Sequence, residues 1–144
     1  MIISKIKQSN KGLLVEIQKW GCYFLCLHYY VSLFKKLEFN AFDINAAYYR
    51  FLGLDYIRSN CFIKNPCLIL NYYGIRSMAR YENSLYVAAA NEFEISEVKI
   101  KNVAGYHFIA TKEKEILYDS LDLKPRGKEF RVTSKRILSL NNAL

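Results

Sequence analysis

Glycine and proline are scarce in this chain, with only 6 and 2 among 144 residues, and there are just two histidines and one tryptophan. No Gly/Pro-rich linker, internal repeat or low-complexity block divides the sequence, which reads as a single domain over residues 1–144, long enough to bury a core. No apolar run is long enough to span a bilayer: the stretch from Gly21 to Phe34 is too short and carries His28. The opening Met1-Ile2-Ile3-Ser4-Lys5-Ile6-Lys7 lacks the apolar segment of a secretory signal. A cytoplasmic protein with reduced cysteines and no membrane insertion is the expectation.

Cysteine is present but not in metal-site spacing. Cys22, Cys26, Cys61 and Cys67 form C-x3-C and C-x5-C, which match no zinc ribbon or finger, so neither a metal nor another cofactor is expected. Apolar residues make up 52% of the chain and charged residues 24%, the balance of a folded globule. The net charge of +8 raises the question of nucleic acid. The basic residues are scattered, however, and the densest run, Lys124 to Arg136, is broken by Glu129 and apolar positions. A solvated basic face is the better reading; a nucleic-acid-binding module is a third-ranked one.

The pattern changes partway along. From about Gly21 to Leu37 apolar residues occur on every side, which predicts a central helix surrounded by protein. Asp43 is placed to cap a second helix running to Gly53, and Asn65-Pro66 forms a cap and first turn for a third ending by Gly74. Beyond Gly74 come short β-like runs: Ile75 to Ala79, Leu85 to Ala88, and Phe93 to Ile100 with a break near Ser96. Tyr106 to Thr111 and Ile116 to Tyr118 predict a hairpin, and Val132 and Ile137-Leu138 a last strand or short helix. The fold class is therefore α+β, helices first and an antiparallel sheet after.

Cys22 sits where a loop becomes the central helix. Free N–H groups and the positive end of the helix dipole favour a thiolate there and can receive an oxyanion. Free cysteine also packs as a small hydrophobe, so position alone makes Cys22 only a candidate. Of the two histidines, His28 lies six residues along the same helix, about 240° around its axis at ~100° per residue, and cannot easily serve the thiol. His107 opens a hairpin strand. If the hairpin turns about Glu113, Asp119 falls directly opposite His107, where a carboxylate could orient the imidazole and stabilise the imidazolium. A turn one residue different would make Asp122 the reserve acid, and such a His-Asp pair can equally be a structural hydrogen bond.

These residues resemble the papain-like cysteine peptidases, nearest the C39-like branch that includes bacteriocin-leader-processing peptidases. Gln18 shortly before Cys22, Gly105 and His107 followed by apolar residues, and Asp119 at the end of the next strand correspond to that family's motif. The resemblance implies a papain-like fold with its central helix packed on the sheet. It also implies Cys22 as nucleophile, His107 as base and then acid, Asp119 as orienter, and Gln18 as side-chain donor to the oxyanion hole. A peptidase or amidase acting on a peptide or protein is the function implied. The Gln18 spacing is shorter than the family's, and Tyr23-Phe24 replaces the usual small residues, so the alternative is a catalytically silent papain-like binding or structural protein. The chain also resembles a hypothetical-protein family borne by phages and plasmids, of the Borrelia type, through Asn60-Cys61-Phe62-Ile63-Lys64-Asn65-Pro66 and the flanking Gly-Cys-Tyr-Phe and Gly-Tyr-His-Phe strings.

Overall fold

The apolar run after Gly21 forms α2 (Cys22–Lys35) in the computed structural model, which describes residues 5–141. Phe24, Leu25, Cys26, Leu27, His28, Tyr30 and Val31 are fully buried on it. Each large apolar side chain removed from water contributes roughly 1.5–3 kcal/mol, so this helix is a principal part of the core. It stops two residues earlier than the expected Leu37, because Lys36 adopts left-handed backbone with φ 53°.

Before it stands the short α1 (Val15–Trp20), and after it come α3 (Ala41–Gly53) and α4 (Pro66–Tyr72). The cap of α3 is Asn40 and not Asp43: the Asn40 side chain accepts from the Asp43 N–H, and Asp43 accepts from the Asn40 N–H. Asp43 thus serves as the far corner of a capping box. Nor does Gly53 supply the left-handed stop, which falls to Asp55 at φ 63°. In α4 the Asn65 side chain accepts from the Cys67 N–H with Pro66 in the first turn, as the dipeptide predicts.

Five strands follow: β1 (Ser77–Glu82), β2 (Glu92–Ile100), β3 (His107–Lys112), β4 (Glu115–Tyr118) and β5 (Phe130–Leu140). They form one antiparallel sheet in the order β1-β5-β2-β3-β4, and the protein is α+β. The break anticipated near Ser96 is an irregularity between Glu97 and Val98 against β5. Val132 and Ile137-Leu138 belong to the same long strand. Leu85 to Ala88 is not a strand but part of a loop, with the Leu85 side chain in solvent. Side chains hold that loop instead: Tyr86 Oη donates to Glu92, and the same carboxylate accepts from the Ala89 N–H.

Alternation along the strands divides the sheet between two cores. Ile95, Ala110 and Leu138 face α2 and join the main cluster. Ile109 and Val98 face the other way and pack with Ile100 and Leu123. No described helix is long and apolar enough to cross a membrane.

Candidate active site

Cys22 occupies the first position of α2 because Gly21 lets α1 and α2 meet almost without a break. The Gly21 N–H bonds the Ile17 carbonyl, and a Cβ on residue 21 would lie 2.6 Å from that same oxygen. Only glycine fits so close an approach. As the first helical residue, Cys22 keeps a backbone N–H with no partner inside the helix. Its thiol is partly exposed, in the wall of a cleft of about 600 Å³. Trp20, Tyr23, Tyr81, Tyr106, Phe108 and Arg136 line that cleft too, Arg136 lying 3.9 Å over the Tyr81 ring and bonded to Glu97.

His107 and Asp119 stand behind the cysteine, both buried, with His107 Nε2 2.8 Å from Asp119 Oδ1. The expected register did not bring them together. Lys112 pairs with Glu115 and Thr111 with Ile116, and an irregularity then places Ala110 opposite Tyr118, so Asp119 is not across from His107. Instead β4 ends at Tyr118 and the chain turns around the Asp119 carboxylate. Oδ1 accepts the Leu121 N–H and Oδ2 the Leu123 N–H, both at 2.9 Å. Burial alone would raise the Asp119 pKa, but His107 and these two amides hold it below the usual carboxylate value.

Burial likewise pulls the His107 pKa down. The hydrogen bond to Asp119 and the nearness of Cys22 overcome it and raise the value to about 9. The ring's Nε2 is committed to Asp119, which leaves the other ring nitrogen for the thiol.

The remaining candidates lie elsewhere. Asp122, the reserve acid, is partly exposed and paired with Lys7. His28 points into an aromatic nest of Phe24, Phe39, Phe51 and Tyr73, its Nδ1 donating to the Phe24 carbonyl and its Nε2 accepting from the Tyr73 hydroxyl. Burial lowers its pKa to about 4. Cys26 is fully buried, its thiol bonded to the Phe108 carbonyl and pushed up in pKa by burial. All four cysteines are free, and no group of three or more His, Cys, Asp or Glu among the described residues is arranged to hold a metal.

Gln18 spends its side-chain amide locally: its Nε2 donates to the Leu13 carbonyl at 2.7 Å. Gln8, which the sequence did not single out, is the buried glutamine that matters to the geometry. Its Nε2 donates to the Gln18 carbonyl at 3.1 Å, and its Oε1 accepts from Ser120 Oγ. Gln8 thereby ties the end of α1, just ahead of Cys22, to the residue that follows Asp119. A glutamine so far from the cysteine in sequence carries no local signal of that role.

Residues 1–140 match the model of a family described as "Protein of unknown function, DUF261". No curated protein and no solved structure matches the chain.

Proposed function

This chain belongs to the DUF261 family, and we propose that it is a papain-like cysteine hydrolase acting on an amide, peptide or isopeptide bond through an acyl-enzyme. One observation carries the reading: a buried imidazole bonded to Asp119 through Nε2 lies close enough to Cys22 for the thiol to raise its pKa, and Cys22 opens onto the cleft. Fixing nucleophile, base and orienter before substrate arrives removes much of the entropic cost of assembling them. The α+β order of a buried helix followed by a sheet carrying His107 suits the papain-like arrangement.

In this mechanism the Cys22 sulfur, its proton passed to His107, attacks the carbonyl carbon, and the carbonyl π pair moves to oxygen, where the Cys22 N–H receives it. His107 gives its proton to the amine nitrogen as the C–N bond breaks, leaving a thioester. Neutral His107 then takes a proton from water, which attacks the thioester; as the C–S bond breaks the acid leaves, and Cys22 and His107 again share that one proton. Asp119 keeps the imidazole in one orientation and supports its charge throughout.

Labelling by iodoacetamide tests the assignment. Cys22→Ala and His107→Ala should abolish fast labelling, and Cys26→Ala should leave it largely intact. Equal labelling of the wild type and the His107 variant would overturn the triad.

A second reading is favoured by Gln18, whose side-chain donor is spent on Leu13 and not on an oxyanion. A silent papain-like binding protein keeps the Cys22-His107-Asp119 packing but turns over no amide. Fast labelling without hydrolysis of any unfolded polypeptide would select it.

A further inference from the structure

Strand β1 is an outer strand of the sheet, paired among the described residues only with β5, and Ala79 and Tyr81 on it line the same cleft as Cys22. In an antiparallel ladder every second residue turns its N–H and C=O toward the neighbour, and the residues between turn theirs away. The Asn141 N–H donates to the Arg76 carbonyl, which fixes the phase. With Ser77 opposite Leu140 and an unbroken register to Glu82 opposite Lys135, the residues bonded to β5 are Met78, Arg80 and Glu82. Ser77, Ala79 and Tyr81 therefore present their backbone groups outward. The bond from the Leu140 N–H to Asn91 agrees, since that amide points to β2 and not to Ser77.

Ala79 and Tyr81 are exposed, and no hydrogen bond to their backbone groups comes from any loop or side chain among the described residues. Exposed edges of this kind are usually blunted by a proline, a bulge or a covering element, because they pair readily with another strand. Here β1 has neither proline nor bulge. The small Ala79 side chain leaves the approach open, and Tyr81 is steadied by Arg136.

We infer that the outer edge of β1 binds an extended stretch of polypeptide substrate as an added strand, through the N–H and C=O of Ala79 and Tyr81, and presents its scissile bond to Cys22. The inference rests on the hydrolase reading and narrows its substrate class to unfolded or extended polypeptide recognised by backbone, as opposed to a small amide. Recognition by main chain makes affinity tolerant of sequence, with selectivity left to the side chains that meet Tyr81, Trp20 and Tyr106. The occupant is tied to this cleft because the free edge and the thiol share its wall.

The test separates the edge from the chemistry by using Cys22→Ala, which cannot react. A pool of acetylated, amidated hexapeptides is titrated into the ¹⁵N-labelled variant, and the amides of Ala79 and Tyr81 are followed by NMR. Both should shift with peptide, and a pool methylated on its backbone nitrogens should bind at least tenfold more weakly. Ala79→Pro removes only an outward N–H, a substitution that edge strands tolerate. In that background binding should fall at least tenfold with the thermal midpoint little changed. Absence of a peptide-dependent shift at both amides overturns the inference whatever Cys22 does. So do shifts that follow protein concentration alone, which would show the edge pairing with a second copy. Loss of labelling in His107→Ala bears on the hydrolase reading separately.

Discussion

His107 Nε2 meets Asp119 Oδ1 at 2.8 Å although the two residues are not paired across the β3–β4 hairpin. A carboxylate held by two backbone amides in the turn after β4 reaches the ring more firmly than a free side chain on a strand could. Asp119→Asn keeps the shape and removes the charge. The His107 pKa should fall from about 9 to the ordinary 6.5 or lower, since burial then acts with less opposition. Alkylation of Cys22 at neutral pH should slow by roughly tenfold or more. NMR titration of the ring and the iodoacetamide rate check both, and an unmoved pKa refutes the coupling.

The same ring makes a statement about stability. Because the folded His107 pKa is raised to about 9 from 6.5, its contribution is fully present below 6.5 and is lost as pH rises through 9. Urea unfolding from pH 6 to 10 should show this decline in the wild type and a weaker one in Asp119→Asn.

His28 works in the opposite direction. Its folded value is about 4, below 6.5, so the unfolded chain binds the extra proton and stability falls as pH drops through 6.5 toward 4. The loss attributable to this residue is about 3 kcal/mol. Urea midpoints over that window should flatten in the double variant His28→Phe, Tyr73→Phe, which removes the titrating ring and its hydroxyl partner together.

Gly21 admits no side chain. Gly21→Ala places a Cβ 2.9 Å from the Ile17 Cα and closer still to its carbonyl, so α1 and α2 must part. Overpacking of this kind costs about 1–3 kcal/mol. The displaced helix start should also slow Cys22 alkylation, whereas Gly53→Ala, with open space around it, should change neither.

On the far face of the sheet Lys135 Nζ lies 3.2 Å from Glu94 Oε1, with both side chains buried, and also donates to the Tyr86 carbonyl. Thr111 supports the same Glu94 oxygen, and the other oxygen has no hydrogen-bond partner among the described residues. Lys135→Met leaves a carboxylate buried without its cation, and denaturation should show a loss of about 3–5 kcal/mol. Adding Glu94→Gln should recover part of it, because the charge leaves with its partner.

Local chemistry determined a good deal of this protein from sequence alone. The all-round apolar pattern after Gly21 could only be a buried helix, and Asn65-Pro66 could hardly avoid starting one. The change of period after Gly74 marked the sheet, and Cys22 and His107 stood out because few other residues could serve as thiol and base. Local pattern failed where a competing local partner took over. Asn40, not Asp43, capped α3, and Leu85 to Ala88 stayed a loop once Glu92 and Tyr86 bound it from the side. Tertiary structure decided which acid meets His107, since one irregularity in the hairpin shifts every opposed pair and a turn, not the register, delivers Asp119. It also decided that Gln18 faces Leu13 while the distant Gln8 braces Ser120, and that β1 lies at an edge beside the thiol. Contacts between residues far apart in the chain are set by how whole elements pack, and no spacing along the sequence encodes them.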